Sequence, residues 1–281
     1  MEGLHNQVFF PTTMADLFSS WARCPDAVPY AGGTDLILGQ GGRSFLLPRN
    51  IISLAPIEEL RRISRTERYL EIGAAVTLAE IFALGKIVPE ILRSSLSEIA
   101  NPQVRNIATI GGSLCCRRRR LDVFAPLAVL DARLELRTAT TSRWVSVGRY
   151  APDSGEPLLE KAELLTRIRV PLESWNYNLY TRIGGIGIPT EDSASFSFIA
   201  RAENDILSEV RLALAGMELI RDRSIENTIV GKSLPLTRKH ASGFHERWRD
   251  RLNALNAPYP ADLLRDRFLN LVEQAVMGLA E

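Results

Sequence analysis

Cysteine and histidine are both scarce in this sequence, with three of each among 281 residues. The cysteines are Cys24, Cys115 and Cys116, so the chain has no Cys-x-x-Cys pair and too few thiolates for an iron–sulfur cluster. The histidines are scattered, without the spacing of a metal-binding motif. We therefore predict no metal site, and any iron–sulfur centre must lie on another chain.

The sequence also lacks a large excess of charge of either sign and long apolar runs. A net charge of +1 argues against nucleic acid or a membrane surface as the partner. No uninterrupted apolar stretch reaches the length of a membrane span, and the first residues lack the basic and apolar regions of a signal peptide. We expect a cytoplasmic protein whose length and 46% hydrophobic content allow two or three lobes.

The vicinal Cys115-Cys116 pair has two interpretations. It can be a redox pair, or two free thiols that pack as small apolar groups. A disulfide between adjacent cysteines closes a strained eight-membered ring, which favours packing.

Two glycine-rich loops carry most of the functional signal. They are Tyr-Ala-Gly-Gly-Thr-Asp-Leu at residues 30–36 and Asn-Ile-Ala-Thr-Ile-Gly-Gly-Ser-Leu at residues 106–114. Neither loop contains the lysine of a Walker motif or the Gly-x-Gly-x-x-Gly of a Rossmann loop. Each Gly-Gly pair alone can be an ordinary turn. Together, the loops predict a neutral cradle of backbone N–H groups for a diphosphate.

Apolar periodicity and capping residues predict an α+β chain of three lobes, with boundaries at 1–55, 56–171 and 172–281. Helices are predicted at residues 12–21, 77–84, 89–99, 122–130, 224–230, 241–255 and 262–279. Strands are predicted at residues 50–54, 69–72, 132–137, 164–170, 179–183, 194–202 and 206–217.

The order and spacing of these motifs resemble the flavin-binding subunit of the molybdenum hydroxylases, a group that includes xanthine dehydrogenase and aerobic carbon monoxide dehydrogenase. The likeness covers nearly the whole chain, through residues 70–77, 101–106, 163–171 and 212–234. It implies the FAD-binding fold of the p-cresol methylhydroxylase/vanillyl-alcohol oxidase type, followed by an antiparallel sheet with helices. In that fold, flavin adenine dinucleotide (FAD) lies between the first two lobes and the third covers its ring.

The resemblance also implies roles for individual residues. Asp122 is expected to accept hydrogen bonds from ribose hydroxyls, and Leu164 and Leu165 are expected to lie against the flavin. The residues expected to hold the diphosphate are Ala31, Gly32, Gly33, Thr34 and Asp35 on one side, and Thr109, Gly111, Gly112 and Ser113 on the other.

Several of these residues have a second interpretation. Asp122 can be a helix N-cap, and the two leucines can be plain core residues. Arg182 stands roughly where relatives have a basic residue near the ring, but a solvated strand residue is the favoured interpretation. Ser113 replaces the asparagine that is usual in the family, which shortens one side chain.

Four consecutive arginines, Arg117, Arg118, Arg119 and Arg120, depart from the family pattern. A solvated surface loop is the favoured interpretation, because charge runs usually face water. The alternatives are a clamp on the cofactor's phosphates or adenosine side, or docking to an acidic iron–sulfur partner.

The function that the resemblance implies is electron exit through FAD, with no catalytic side chain on this chain. Electrons would come from a molybdenum-cofactor large subunit through an iron–sulfur small subunit and leave to NAD or another acceptor. Two other classes stay open, a stand-alone FAD-dependent reductase or oxidase and a non-catalytic flavin-binding scaffold.

Overall fold

A computed structural model describes residues 7–38, 46–116, 122–150, 158–184, 190, 193–255 and 260–280, and the arginine run at 117–120 lies outside these ranges. The helices in them are α1 (Met14–Arg23), α2 (Thr34–Leu38), α3 (Leu78–Ala83), α4 (Glu90–Glu98), α5 (Pro102–Arg105), α6 (Ile110–Leu114), α7 (Phe124–Val129), α8 (Val147–Tyr150), α9 (Arg223–Glu226), α10 (Arg238–Asn253) and α11 (Asp262–Met277). The strands are β1 (Gln7–Phe9), β2 (Val28–Tyr30), β3 (Asn50–Ser53), β4 (Ile63–Arg65), β5 (Tyr69–Gly73), β6 (Arg133–Arg137), β7 (Ser142–Ser146), β8 (Leu164–Pro171), β9 (Tyr177–Ile183), β10 (Ala194–Glu203), β11 (Ile206–Ala215) and β12 (Leu219–Ile220).

The N-terminal part is a parallel sheet with strand order β1-β3-β2. Helix α1 begins after Thr13, whose hydroxyl accepts a hydrogen bond from the Asp16 backbone N–H at 3.1 Å. Its apolar face buries Leu17 and Phe18 in the same apolar cluster as Ile52 of β3. The helix predicted at residues 12–21 and the strand predicted at residues 50–54 are therefore present, and β1 is an additional edge strand that the sequence did not predict.

The middle part is an antiparallel sheet with strand order β4-β5-β8-β6-β7. Helix α3 begins with a capping box, in which the Thr77 hydroxyl accepts from the Glu80 N–H and the Glu80 carboxylate accepts from the Thr77 N–H. On β6, buried Leu134 and Leu136 alternate with residues on the solvent side, as the sequence pattern predicted.

The C-terminal part is an antiparallel sheet with strand order β12-β11-β10-β9, covered by α10 and α11. Trp248 of α10 meets Phe268 of α11 edge to face, with ring centroids 5.4 Å apart. The predicted α+β fold with a C-terminal antiparallel sheet and helices is confirmed. The helix predicted at residues 224–230 is shorter than expected, because α9 ends at Glu226.

Three apolar clusters form the interior, one in each part of the chain. The N-terminal cluster also contains Ala75 and Leu164, so the apolar core of this part draws on residues beyond the predicted boundary at residue 55. The lobe boundaries themselves stay predictions. Every residue of α7 is buried, and this helix contacts α4, β10 and β11, which places it between the middle and C-terminal parts. In the described ranges, no helix is both long and apolar enough to cross a membrane.

Candidate cofactor-binding site

The first glycine loop joins β2 to α2 and turns at Gly33, whose φ is +69°. A Cβ atom on Gly33 would lie 2.2 Å from the Tyr30 hydroxyl oxygen, so a larger residue would adopt a strained backbone conformation and displace the Tyr30 side chain. Within the described ranges, the backbone N–H groups of Gly32, Gly33, Thr34 and Asp35 have no protein acceptor. Successive unpaired N–H groups at such a turn are suited to a phosphate oxygen.

The two glycine loops touch each other, although they lie far apart in sequence. A Cβ atom on Gly32 would lie 1.9 Å from the carbonyl oxygen of Ile107, so the two backbones are in direct contact. Two residues beyond the second loop, the Cys116 thiol donates a hydrogen bond to Asp35 Oδ1 at 3.3 Å. The sequence did not predict this second link, because neither residue type signals it.

The second loop starts α6, and most of its N–H groups are paired inside the protein. Thr109 caps the helix, with its hydroxyl oxygen 3.1 Å from the Gly112 N–H and its carbonyl oxygen 3.0 Å from the Ser113 N–H. The Ser113 hydroxyl donates to the same carbonyl oxygen at 3.1 Å. These three hydrogen bonds around Thr109 fix the conformation of the loop.

Two further N–H groups of this loop donate to carbonyl groups in the turn after β5. The Ile110 N–H donates to the Val76 carbonyl at 3.1 Å, and the Gly111 N–H donates to the Ala74 carbonyl at 2.9 Å. A Cβ atom on Gly111 would lie 2.6 Å from that same Ala74 oxygen. Gly111 is therefore required for backbone packing within the protein, whatever the loop binds.

The two loops thus differ in what they offer to an anion. The first loop presents unpaired N–H groups, whereas the second presents the exposed, side-chain-free surface of Gly112. A diphosphate fits this arrangement, because the donors come from one side and a bare backbone permits close approach on the other. Contact of Thr109, Gly111, Gly112 and Ser113 with the cofactor stays a prediction.

Leu164 and Leu165 of β8 are both buried, and they face opposite sides of the strand. Leu164 lies in the N-terminal cluster, against which Ala31 of the first loop packs. Leu165 lies in the middle cluster with Ile110 and Leu114 of α6. Each leucine therefore supports one glycine loop from behind as a core residue, and their contact with flavin stays a prediction.

Asp122 and Arg182 form a partly buried ion pair between the residues before α7 and strand β9. Arg182 Nε lies 3.0 Å from Asp122 Oδ1, and the side chains are 8% and 19% exposed, respectively. Burial raises the pKa of Asp122, and the charge and hydrogen bond of Arg182 oppose that rise. In the described part of the chain, the other Asp122 oxygen accepts no hydrogen bond, so it can accept one from a ligand.

This geometry corrects two sequence interpretations. Arg182 is not a solvated strand residue, because its guanidinium is buried against Asp122. Asp122 is not the cap of α7, since that position is held by Val123 and no side chain bonds to the helix N-terminus. The backbone at Asp122 is left-handed, with a φ of 57°, which turns the chain into the helix.

All three cysteines are free thiols, and each is half-buried. The Cys115 sulfur lies 3.3 Å from the Tyr150 hydroxyl oxygen, and burial raises the pKa of that phenol. The interpretation of the vicinal pair as free thiols is confirmed, although they make hydrogen bonds and are less buried than expected. No cluster of metal-ligating side chains occurs among the described residues.

Sequence comparisons identify relatives of this chain. Residues 4–173 match the family described as the FAD binding domain in molybdopterin dehydrogenase. The chain is 29% identical over 234 residues to the xanthine dehydrogenase FAD-binding subunit of Escherichia coli O157:H7, covering 80% of this chain and 79% of that protein. It is 30% identical over 167 residues to the carbon monoxide dehydrogenase medium chain of Afipia carboxidovorans, covering 58% and 57%.

Solved structures show the same fold over nearly the whole chain. A chain of the reconstituted CO dehydrogenase from Oligotropha carboxidovorans superimposes with a TM-score of 0.83 at 22% identity, covering 100% of this chain and 99% of that one. A chain of quinoline 2-oxidoreductase from Pseudomonas putida 86 gives 0.82 at 22% identity, covering 98% and 96%.

Proposed function

Because this chain belongs to the family of FAD binding domains in molybdopterin dehydrogenases, we propose that it holds FAD for electron transfer from iron–sulfur clusters on a partner chain to NAD or another acceptor. The chain is an FAD-binding component of an oxidoreductase of the molybdenum hydroxylase type. The observation that carries the proposal is the row of four unpaired N–H groups on the first glycine loop, held against the backbone of the second.

The proposed role of the protein is to hold and orient FAD. The N–H groups at Gly32, Gly33, Thr34 and Asp35 donate to the diphosphate, and Ala31 packs behind them. When bound, FAD supplies the redox chemistry. The residues that line the opposite side are Thr109, Gly111, Gly112 and Ser113.

Two further contacts complete the proposed site. The second carboxylate oxygen of Asp122 accepts hydrogen bonds from ribose hydroxyls, while Arg182 holds the first. Leu164 and Leu165, which are buried on opposite faces of β8, support the two glycine loops from behind. In this scheme no side chain acts as acid, base or nucleophile.

Gly112→Val is expected to abolish FAD retention and leave the fold intact. Among the described residues, a Cβ atom on Gly112 meets only the side-chain atom Thr109 Oγ1, at 3.0 Å, so the protein accommodates it through a small shift of that hydroxyl. The valine branch instead fills the space that a phosphate oxygen needs. Gly148→Val is the matched control, because a Cβ there meets nothing within 4 Å. Flavin absorbance per chain after gel filtration measures the effect, and equal flavin content in both variants would contradict it.

We further propose that the chain works with a molybdenum-cofactor large subunit and an iron–sulfur small subunit. The names of its relatives, a FAD-binding subunit and a medium chain, support this assembly. The free thiols Cys24, Cys115 and Cys116 fit a reducing compartment, which supports a cytoplasmic location.

The test of this function is anaerobic reduction of the flavin. We expect the isolated, FAD-loaded chain to stay oxidised with hydroxylase substrates such as purines, aldehydes or carbon monoxide, because electrons must enter through a partner. Co-purified complex should bleach at the flavin absorption band when its own substrate is added. Rapid bleaching of the isolated chain would make it a stand-alone reductase or oxidase. Flavin that stays oxidised in the complete, active complex would make the chain a scaffold.

A further inference from the structure

Helix α7 is held by the C-terminal sheet at both of its ends. We propose that Arg211 and Arg221 clamp the C-terminal end of α7 and thereby position Asp122, just before its N-terminal end, towards the cofactor. The two arginines are positioning residues, which act through the helix. This proposal rests on the proposed role of Asp122 in binding FAD.

The clamp begins at the last carbonyl groups of α7, which have no partner within the helix. Arg221 Nη1 donates to the carbonyl oxygen of Ala128, and Arg211 Nη1 donates to that of Val129 at 2.9 Å. Positive charge at a helix C-terminus is favoured by the helix dipole. The guanidinium groups of Arg211, on β11, and Arg221, just after β12, therefore bind the carbonyl groups at this end of the helix.

Asp131 continues the clamp just beyond the helix. Its Oδ1 lies 2.7 Å from Arg221 Nη1 and its Oδ2 lies 3.1 Å from Arg211 Nη1, so one carboxylate bridges both arginines. Burial alone raises the pKa of Asp131, but Arg221 and Arg211 outweigh it and hold the pKa below its ordinary value. The carboxylate is therefore charged at neutral pH.

Both arginines are themselves fixed. The Arg211 guanidinium lies over the ring of Trp175, with 4.7 Å between its carbon and the ring centroid, and it also pairs with Glu173. Arg221 Nε donates to Glu226 Oε1 at 2.9 Å, and that carboxylate is buried. The clamp is therefore built on groups that have little freedom to follow a displaced helix.

At the opposite end, Asp122 is bound to Arg182 of β9. The six helical residues between the two contacts are all buried and closely packed, so a small displacement at one end of α7 is passed on to the other end. A helix of this length spans roughly 9 Å and moves as one body. Loosening the clamp at Asp131 therefore shifts Asp122, on which a ribose contact depends.

Asp131→Asn in the full-length chain tests the proposal. Asparagine keeps the shape and tolerates the left-handed backbone at this position, where φ is 52°, but it removes the charge that holds both arginines. Glu173→Gln is the matched control, because it removes a carboxylate from Arg211 without touching α7. We expect Asp131→Asn to raise the dissociation constant for FAD about tenfold and Glu173→Gln to change it less than about twofold. Thermal unfolding confirms that both variants are folded.

A double-mutant cycle separates positioning from general stability. If the clamp acts through Asp122, Asp131→Asn should have almost no further effect on FAD affinity in an Asp122→Asn background. Additive effects, or an unchanged affinity of Asp131→Asn for FAD, would overturn the clamp. The proposed function still stands in that case if the wild-type chain binds FAD. A wild-type chain that binds no FAD would instead overturn the proposed function, and the clamp with it.

Discussion

FAD retention is expected to be lost when Gly32 is replaced by alanine. A Cβ atom at this position would lie 1.9 Å from the carbonyl oxygen of Ile107 and 3.1 Å from the Cα atom of Ala108. Both neighbours are backbone atoms that cannot rotate away, so the first loop must move off the second. Loss of two N–H contacts to a charged phosphate, at about 1.5 kcal/mol each, weakens binding about a hundredfold.

Gly148→Ala is the control for this result, since its added Cβ meets no atom within 4 Å. The secondary structure of both variants should match the wild type by circular dichroism, because the collision is confined to a loop. Isothermal titration of each apoprotein with FAD measures the effect. Wild-type affinity in Gly32→Ala would show that contact between the loops has no part in binding.

Arg182→Met is expected to destabilise the protein by about 3 kcal/mol at pH 7, because it leaves the partly buried Asp122 carboxylate without a counter-charge. Removing Arg182 takes away the influence that opposes the rise in the pKa of Asp122, so the pKa rises further. An acid whose pKa is raised by folding is tolerated in the folded state at low pH and becomes unfavourable as the pH rises. The loss of stability in Arg182→Met should therefore become smaller as the pH falls through the raised pKa of Asp122.

Arg223→Met is the matched control. It removes the same charge from the ion pair between Arg223 and Asp131, in which the arginine side chain is 68% exposed. This variant should lose less than about 1 kcal/mol. Denaturant unfolding at neutral and mildly acidic pH measures both variants. Equal losses, or a deficit in Arg182→Met that does not depend on pH, would contradict the assignment of Arg182 to a partly buried pair with Asp122.

Local signals in the sequence accounted for much of the fold. Capping residues and apolar periodicity predict the helices at residues 12–21 and 77–84, where Thr13 and Thr77 are the caps, and the strand at residues 132–137. Short edge strands such as β1 and β4 escaped prediction, because three residues carry too little periodicity. The helix predicted at residues 224–230 extends beyond the end of α9, since Ile229 and Val230 continue the apolar pattern but residues 227–230 form turns and a bend.

The candidate site was only partly accessible from sequence. The glycine pairs indicated where the backbones come close, as Gly32 on Ile107 shows. Which N–H groups stay unpaired depends on carbonyl groups more than thirty residues away, at Ala74 and Val76, and no local pattern reports this. The Asp122–Arg182 pair joins residues sixty positions apart through the packing of α7 against the C-terminal sheet, which only the three-dimensional structure reveals.

Cofactor identification on the purified full-length chain tests the central claim most directly. We predict a yellow protein with the spectrum of oxidised flavin, which releases intact FAD on denaturation. Release is expected because neither glycine loop, at residues 30–36 or 106–114, contains a histidine or cysteine for a covalent link. A colourless protein whose apo form shows no heat of binding with FAD would contradict the account.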